Sequence, residues 1–148
     1  MWSEEKLTER LFFMNKKMDF TEEDSRLLSF ERLEVWKAAM LLAKDIYGLI
    51  LKFPQSERFA LSDQLRPSSV SIASNIAEGA GRSALKERIR FVDIALGSLN
   101  EAFCQLILAG EFNYISEEEE LEMMREKFLQ ETKMLFGYRS WLEKQMPR

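Results

Sequence analysis

From Phe30 onward, apolar side chains recur at three- and four-residue spacing in four long runs, each closed by a short break. That period is helical. Four such runs joined by short links predict an all-α, antiparallel up-down four-helix bundle. The first run spans about Phe30 to Lys52, with Leu33, Trp36, Met40, Ala43, Tyr47 and Ile50 on its stripe and Val35, Ile46 and Leu51 widening it. Pro54 closes it, because the residue before a proline avoids helical geometry. The second spans about Ser62 to Ala77, with Ser62 as N-cap. Leu65, Ser69, Ile72 and Ile76 make its inner face, flanked by the small residues Ser68, Ser71, Ala73 and Ala77. Pro67 is expected to bend this helix, and Gly79-Ala80-Gly81 to end it with residues that tolerate positive φ.

The third run extends from about Ala84 to Ala109, with Ser83 as N-cap. Ile89, Val92, Leu96, Leu99, Phe103 and Leu106 form one stripe, and Phe91, Ala95, Ala102 and Ala109 a second. A helix apolar on most sides is buried on most sides, and a small bundle leaves each helix a solvent face. Subunit association is the simplest cover for the surplus. The fourth run spans about Glu117 to Gln145, opened by a Ser116–Glu119 capping box. Its core stripe is Leu121, Met124, Phe128, Leu135, Tyr138 and Leu142, while Met123 and Trp141 lie off it, at an expected interface.

Residues 1–29 read as an N-terminal extension, of short helices or partly disordered, to a bundle of residues 30–146. Ser3 opens a short helix with Leu7, Leu11 and Met14 on one face, and Thr21-Glu22-Glu23-Asp24 is a second start signal. Neither piece is long enough to stand alone.

Composition narrows the chemistry. The chain is 46% hydrophobic and 31% charged, with only six glycines and three prolines in 148 residues, which suits helices rather than strands and tight turns. It has no histidine and a single cysteine, Cys104. The usual general base and commonest metal ligand are therefore missing, as is any intramolecular disulfide or thiolate cluster. No residue is nominated as catalytic, cofactor-binding or metal-ligating, and no small-molecule substrate is expected. Cys104 lies in an apolar run and reads as a buried, inert thiol. No apolar run approaches the roughly 20 residues of a membrane span. The opening MWSEEKLTER is acidic where a secretory leader would be basic. A cytoplasmic protein without a membrane partner is expected.

The net charge of −4 is uneven, with a mildly basic centre and an acidic last helix. Arg66, Arg82, Lys86 and Arg90, with Arg88 nearby, are expected to cluster at the corner between the second and third helices. Arg82, Lys86 and Arg90 stand four apart. Such a stripe suits phosphate backbone, and no aromatic residue is interleaved for base stacking. Asn75, Glu78, Gly79 and Gly81 read as a structural motif: the two polar residues tie down the helix end and the glycine loop, with Arg82 as a partner.

The segment Gln64-Leu65-Arg66 … Val70-Ser71-Ile72-Ala73-Ser74-Asn75-Ile76-Ala77-Glu78-Gly79 … Gly81-Arg82 resembles the signature of a bacterial four-helix-bundle family. Genes of that family lie in intervening sequences of 23S ribosomal RNA genes, and its members are sometimes labelled ribosomal-protein-like. Phe30-Glu31-Arg32-Leu33-Glu34-Val35-Trp36 looks like the family's opening, and Phe91 … Ala95-Leu96-Gly97-Ser98-Leu99-Asn100-Glu101 like its third helix. The resemblance covers about residues 30–142. Two departures stand out: Pro67 where members commonly carry a basic residue, and Ala73 where they often carry proline. The resemblance implies a homo-oligomer, a ring of five, and kinship in fold with the accessory protein of diversity-generating retroelements, which binds a reverse transcriptase and nucleic acid.

Two functions follow as expectations. One is a non-enzymatic, oligomeric accessory protein associated with RNA or DNA, working with a reverse transcriptase or a structured RNA. The other is an oligomeric protein-interaction scaffold without nucleic-acid binding.

Overall fold

The computed structural model describes residues 24–116 and 118–148. The expected helix at Ser3–Met14, the start signal at Thr21–Glu23 and Glu117 lie outside the described residues. Four helices account for most of the rest: α1 (Glu34–Ile50), α2 (Leu61–Ala80), α3 (Leu85–Glu111) and α4 (Glu118–Lys144), with single 3-10 turns at Asp24–Arg26, Ser29–Arg32 and Gln55–Glu57. No strand occurs among the described residues, and the all-α four-helix bundle stands as expected.

Cross-helix contacts fix the antiparallel register. Ser68, Ser71 and Gly79 of α2 meet Gln105, Ser98 and Phe91 of α3, so one number rises as the other falls. The same holds for Asp93–Arg139 and Phe103–Phe128 between α3 and α4, and for Asp45–Lys127 between α1 and α4, with Lys52, just past α1, paired to Glu120. The α2–α3 pair is the closest, because small residues line its seam. Between them, Ser68 Oγ donates to Gln105 Oε1 at 2.7 Å and Ser71 Oγ bonds Ser98 Oγ at 2.9 Å. Of the four adjacent pairs, α1–α4 makes the loosest seam.

The core stripes of α2, α3 and α4 follow the expected periodicity, with Leu121, Leu96 and Phe103 half-buried. That of α1 is rotated. Val35, Ala39, Leu42, Ile46 and Leu49 are buried, whereas Met40 and Tyr47 are exposed and Leu33, Trp36 and Ala43 half-buried. Two apolar faces compete on this helix, and the one facing both neighbours wins the interior. The helix is also shorter than expected: Ser29–Arg32 is a 3-10 turn and Leu33 is extended, with Phe30 packed edge-on to Trp36 at 5.0 Å.

Helix ends depart from the serine-cap expectations. Ser62 lies buried inside the first turn of α2, and Ala60 is the N-cap. The Glu57 carboxylate takes the cap's part instead. It accepts from Leu61 N at 3.1 Å and from Tyr114 Oη at 2.8 Å, which ties the α1–α2 link to the α3–α4 link. Ala84, not Ser83, is the N-cap of α3, without a side-chain bond. The cap of α4 turns on Glu117 and so falls outside the described residues. No glycine has positive φ; Gly81 sits at φ −81°. Among the described residues the left-handed one is Asn113 at φ 59°, just past α3. Its N–H bonds Gly110 O at 2.9 Å and the next N–H, of Tyr114, bonds Ala109 O at 2.9 Å. This is a Schellman closure with Asn113 where glycine is usual. α2 runs on through Pro67 as one helix.

Two further expectations are corrected. Cys104 is exposed, because it lies on the side of α3 opposite the core line through Ala95, Ala102 and Leu106. And α3 is, by length and composition, apolar enough to cross a membrane. It is the helix that packs on both α2 and α4, and Ala95, Leu99, Ala102, Leu106 and Ala109 lie in the interior.

Candidate nucleic-acid interface

The corner between α2 and α3 is built on a close approach. Gly79 is buried against Phe91, and a Cβ there would come within 2.6 Å of Phe91 Cβ. The glycine is required by this contact and not by its backbone conformation. Around it, Glu78 and Arg82 form an ion pair at 2.6 Å, and the Arg82 guanidinium lies 5.0 Å over the Phe91 ring. Arg88 Nε donates to Arg82 O at 2.6 Å, which anchors the loop to the first turns of α3.

Glu78 does hold Arg82. Asn75, however, turns back along its own helix, with Nδ2 donating to Ser71 O at 2.7 Å and Ser71 Oγ at 2.8 Å. It completes a polar seam with Ser98 rather than tying down the loop. Gly81 has no crowding neighbour, since a Cβ there would meet only Glu78 O at 3.5 Å.

The proposed basic stripe divides. Lys86 and Arg90 share an exposed face at the start of α3, and Arg90 is weakly paired with Glu87 at 3.5 Å. Arg82 precedes the helix and is held over Phe91, so it borders that face without continuing it. Arg66 does not join them. It lies half-buried fourteen residues before the end of α2, about 21 Å along the axis. What remains at the corner is four cations, Arg82, Lys86, Arg88 and Arg90, against one carboxylate, Glu87, within residues 82–90, with Glu78 adjoining. The ion pairs here are exposed and hold little net attraction against solvent and salt.

Among the described residues no group of three or more Cys, Asp or Glu is placed to hold a metal ion. The polar residue that sequence reading passes over is Glu131. It occupies the α4 core line between Phe128 and Leu135, is 2% exposed, and has no hydrogen-bond partner among the described residues for either carboxylate oxygen. Burial pushes its carboxyl up to about 8. The signal was in the spacing: 124, 128, 131, 135, 138, 142 is an unbroken four–three alternation, and position 131 belongs to it.

Apolar side chains also remain at the surface. Phe136 and Leu129 on α4 are 57% and 48% exposed, and Ile94, Ile107 and Leu108 on α3 are more than one-third exposed. Met123 is exposed, while Trp141 is half-buried and stacked on Tyr138 at 6.0 Å.

Residues 31–137 match the family model described as 23S rRNA-intervening sequence protein. Among solved structures, the chain resembles a protein of unknown function from the S23 ribosomal protein family of Bacteroides thetaiotaomicron. The TM-score is 0.65 and the identity 25%, covering 71% of this chain and 97% of that one. No curated protein matches.

Proposed function

We propose that this chain, which belongs to the family of 23S rRNA-intervening sequence proteins, is a non-enzymatic, cytoplasmic accessory protein that assembles into a homo-oligomeric ring and associates with structured RNA. A ring of five and a reverse-transcriptase partner are the finer form of the same reading. The observation that carries it is the exposed cationic corner of residues 82–90, whose ion pairs are solvent-screened and exchangeable for phosphate. The exposed apolar residues of α3 and α4 support self-association. A ring repeats the corner once per subunit, and multivalency turns a modest patch into useful affinity.

A second reading is an oligomeric protein scaffold without nucleic-acid binding. It is favoured by the pairing of Arg82 with Glu78 and of Arg90 with Glu87. Native mass and RNA binding at low salt, measured on the full chain and on Arg82→Ala/Lys86→Ala/Arg90→Ala, separate the two. The first reading expects an oligomer that binds RNA through these residues. A monomer at micromolar concentration removes the ring. RNA binding that is absent, or unchanged in the triple variant, removes the nucleic-acid role.

A further inference from the structure

α1 carries two apolar faces, and the bundle uses one of them. Val35, Ala39, Leu42, Ile46 and Leu49 are buried on the side that meets α2 and α4. On the outer side Trp36 and Ala43 are half-buried, Met40 and Tyr47 are 41% and 42% exposed, and Leu41 beside them is 61% exposed. Trp36, Met40, Ala43 and Tyr47 follow one another at four, three and four residues, the spacing of a seam between two packed helices. A helix with a second such stripe has room for a further partner.

Two observations point to what covers it. The first is where the chain comes from. The described residues begin at Asp24, and the turn at Ser29–Arg32 packs on both α1 and α2. It sets Phe30 edge-on to Trp36 at 5.0 Å, so the chain arrives at the head of the outer stripe. The second is the spacing upstream. Leu7, Leu11, Met14 and Met18 also follow one another at four, three and four residues. Set antiparallel, the two series match throughout. Met18 falls opposite Trp36, Met14 opposite Met40, Leu11 opposite Ala43 and Leu7 opposite Tyr47, with Phe13 level with Leu41. As helix, each series is about 16 Å long. Residues 19–29 leave ample chain for the reversal, since helix–helix links need only about 2–8 residues.

We propose that residues 3–18 of the same chain pack antiparallel along α1 and cover its outer face. Each side then supplies what the other lacks. A helix this short needs a packed face to persist in water, and Met40, Leu41 and Tyr47 gain the apolar cover that the four-helix bundle does not give them. The inference is independent of nucleic-acid binding and stands without it.

The test uses the full chain carrying Cys104→Ser, which removes its one native thiol. Met14→Cys/Met40→Cys and Leu7→Cys/Tyr47→Cys place two thiols at facing positions. In Met14→Cys/Tyr47→Cys they are offset by seven residues, roughly 10 Å along the axis and beyond the ~7 Å that a disulfide spans between Cα atoms. After mild oxidation, non-reducing electrophoresis and peptide mass spectrometry are expected to show bridges within one chain in both matched pairs and little in the offset pair. A second measurement follows maleimide labelling of Met40→Cys, which is expected to quicken roughly tenfold when Leu7→Asp/Leu11→Asp opens the cover. Far-UV circular dichroism checks that each variant is folded. No bridge in the matched pairs, equal bridging in all three, or bridges only between two copies overturns the proposal. So does a labelling rate that the aspartates leave unchanged.

Discussion

Gly79 packs so closely on Phe91 that the space for a methyl group at position 79 is already filled by the Phe91 Cβ, 2.6 Å away. The two residues join the end of α2 to the start of α3 and carry the loop that presents Arg82. In an ordinary helix interior, glycine to alanine gains about 1 kcal/mol. Here the sign reverses. Gly79→Ala must push α3 away from α2, and we expect a loss of roughly 1–3 kcal/mol in urea unfolding. Gly81→Ala, which meets no crowding, is the control and is expected to be neutral or slightly stabilising.

The α2–α3 seam also holds a buried polar pair. Ser68 Oγ donates to Gln105 Oε1 at 2.7 Å, and both residues are buried. Ser68→Ala leaves the amide oxygen without its donor and is expected to cost roughly 1–3 kcal/mol. Ser68→Ala combined with Gln105→Leu removes both partners and is expected to recover much of that loss. A double-mutant cycle by chemical denaturation measures the coupling.

Glu131 makes stability depend on pH. Its carboxyl titrates near 4.5 when unfolded and is raised to about 8 by burial in the fold. The folded state therefore holds the proton over that interval. The group's contribution is fully present below about pH 4.5 and is lost as pH rises toward 8. The loss amounts to roughly 3–5 kcal/mol across the interval, by the conversion of 1.36 kcal/mol per pKa unit. Glu131→Met is expected to unfold at higher denaturant than wild type at pH 8, with the gap narrowing toward pH 5. Parallel pH dependence in the two proteins would contradict this.

Much of the bundle was legible because periodicity encodes burial directly. The lines through Leu65–Ile76, Val92–Leu106 and Met124–Leu142 needed only spacing. The rotated face of α1 was not legible. Trp36, Met40 and Tyr47 are as well spaced as Val35, Leu42 and Ile46, and only the position of two neighbouring helices chooses between them. Helix starts were misread because Ser62 and Ser83 are good local caps, yet the Glu57 carboxylate and Ala84 occupy those places in three dimensions. The basic corner was half legible. Lys86 and Arg90 follow from their spacing. That Arg66 lies far from them, and that Arg82 is held by Glu78 and Phe91, depends on where α2 ends and how the loop turns.

The salt dependence of RNA binding tests the central claim most directly. For the full chain, the logarithm of the association constant is expected to fall linearly with the logarithm of salt concentration. In Lys86→Ala/Arg90→Ala the slope is expected to be shallower by roughly 1.4–1.8, the loss of about two phosphate contacts at about 0.7–0.9 each. An unchanged slope in that variant, or no binding by wild type at low salt, would contradict the account.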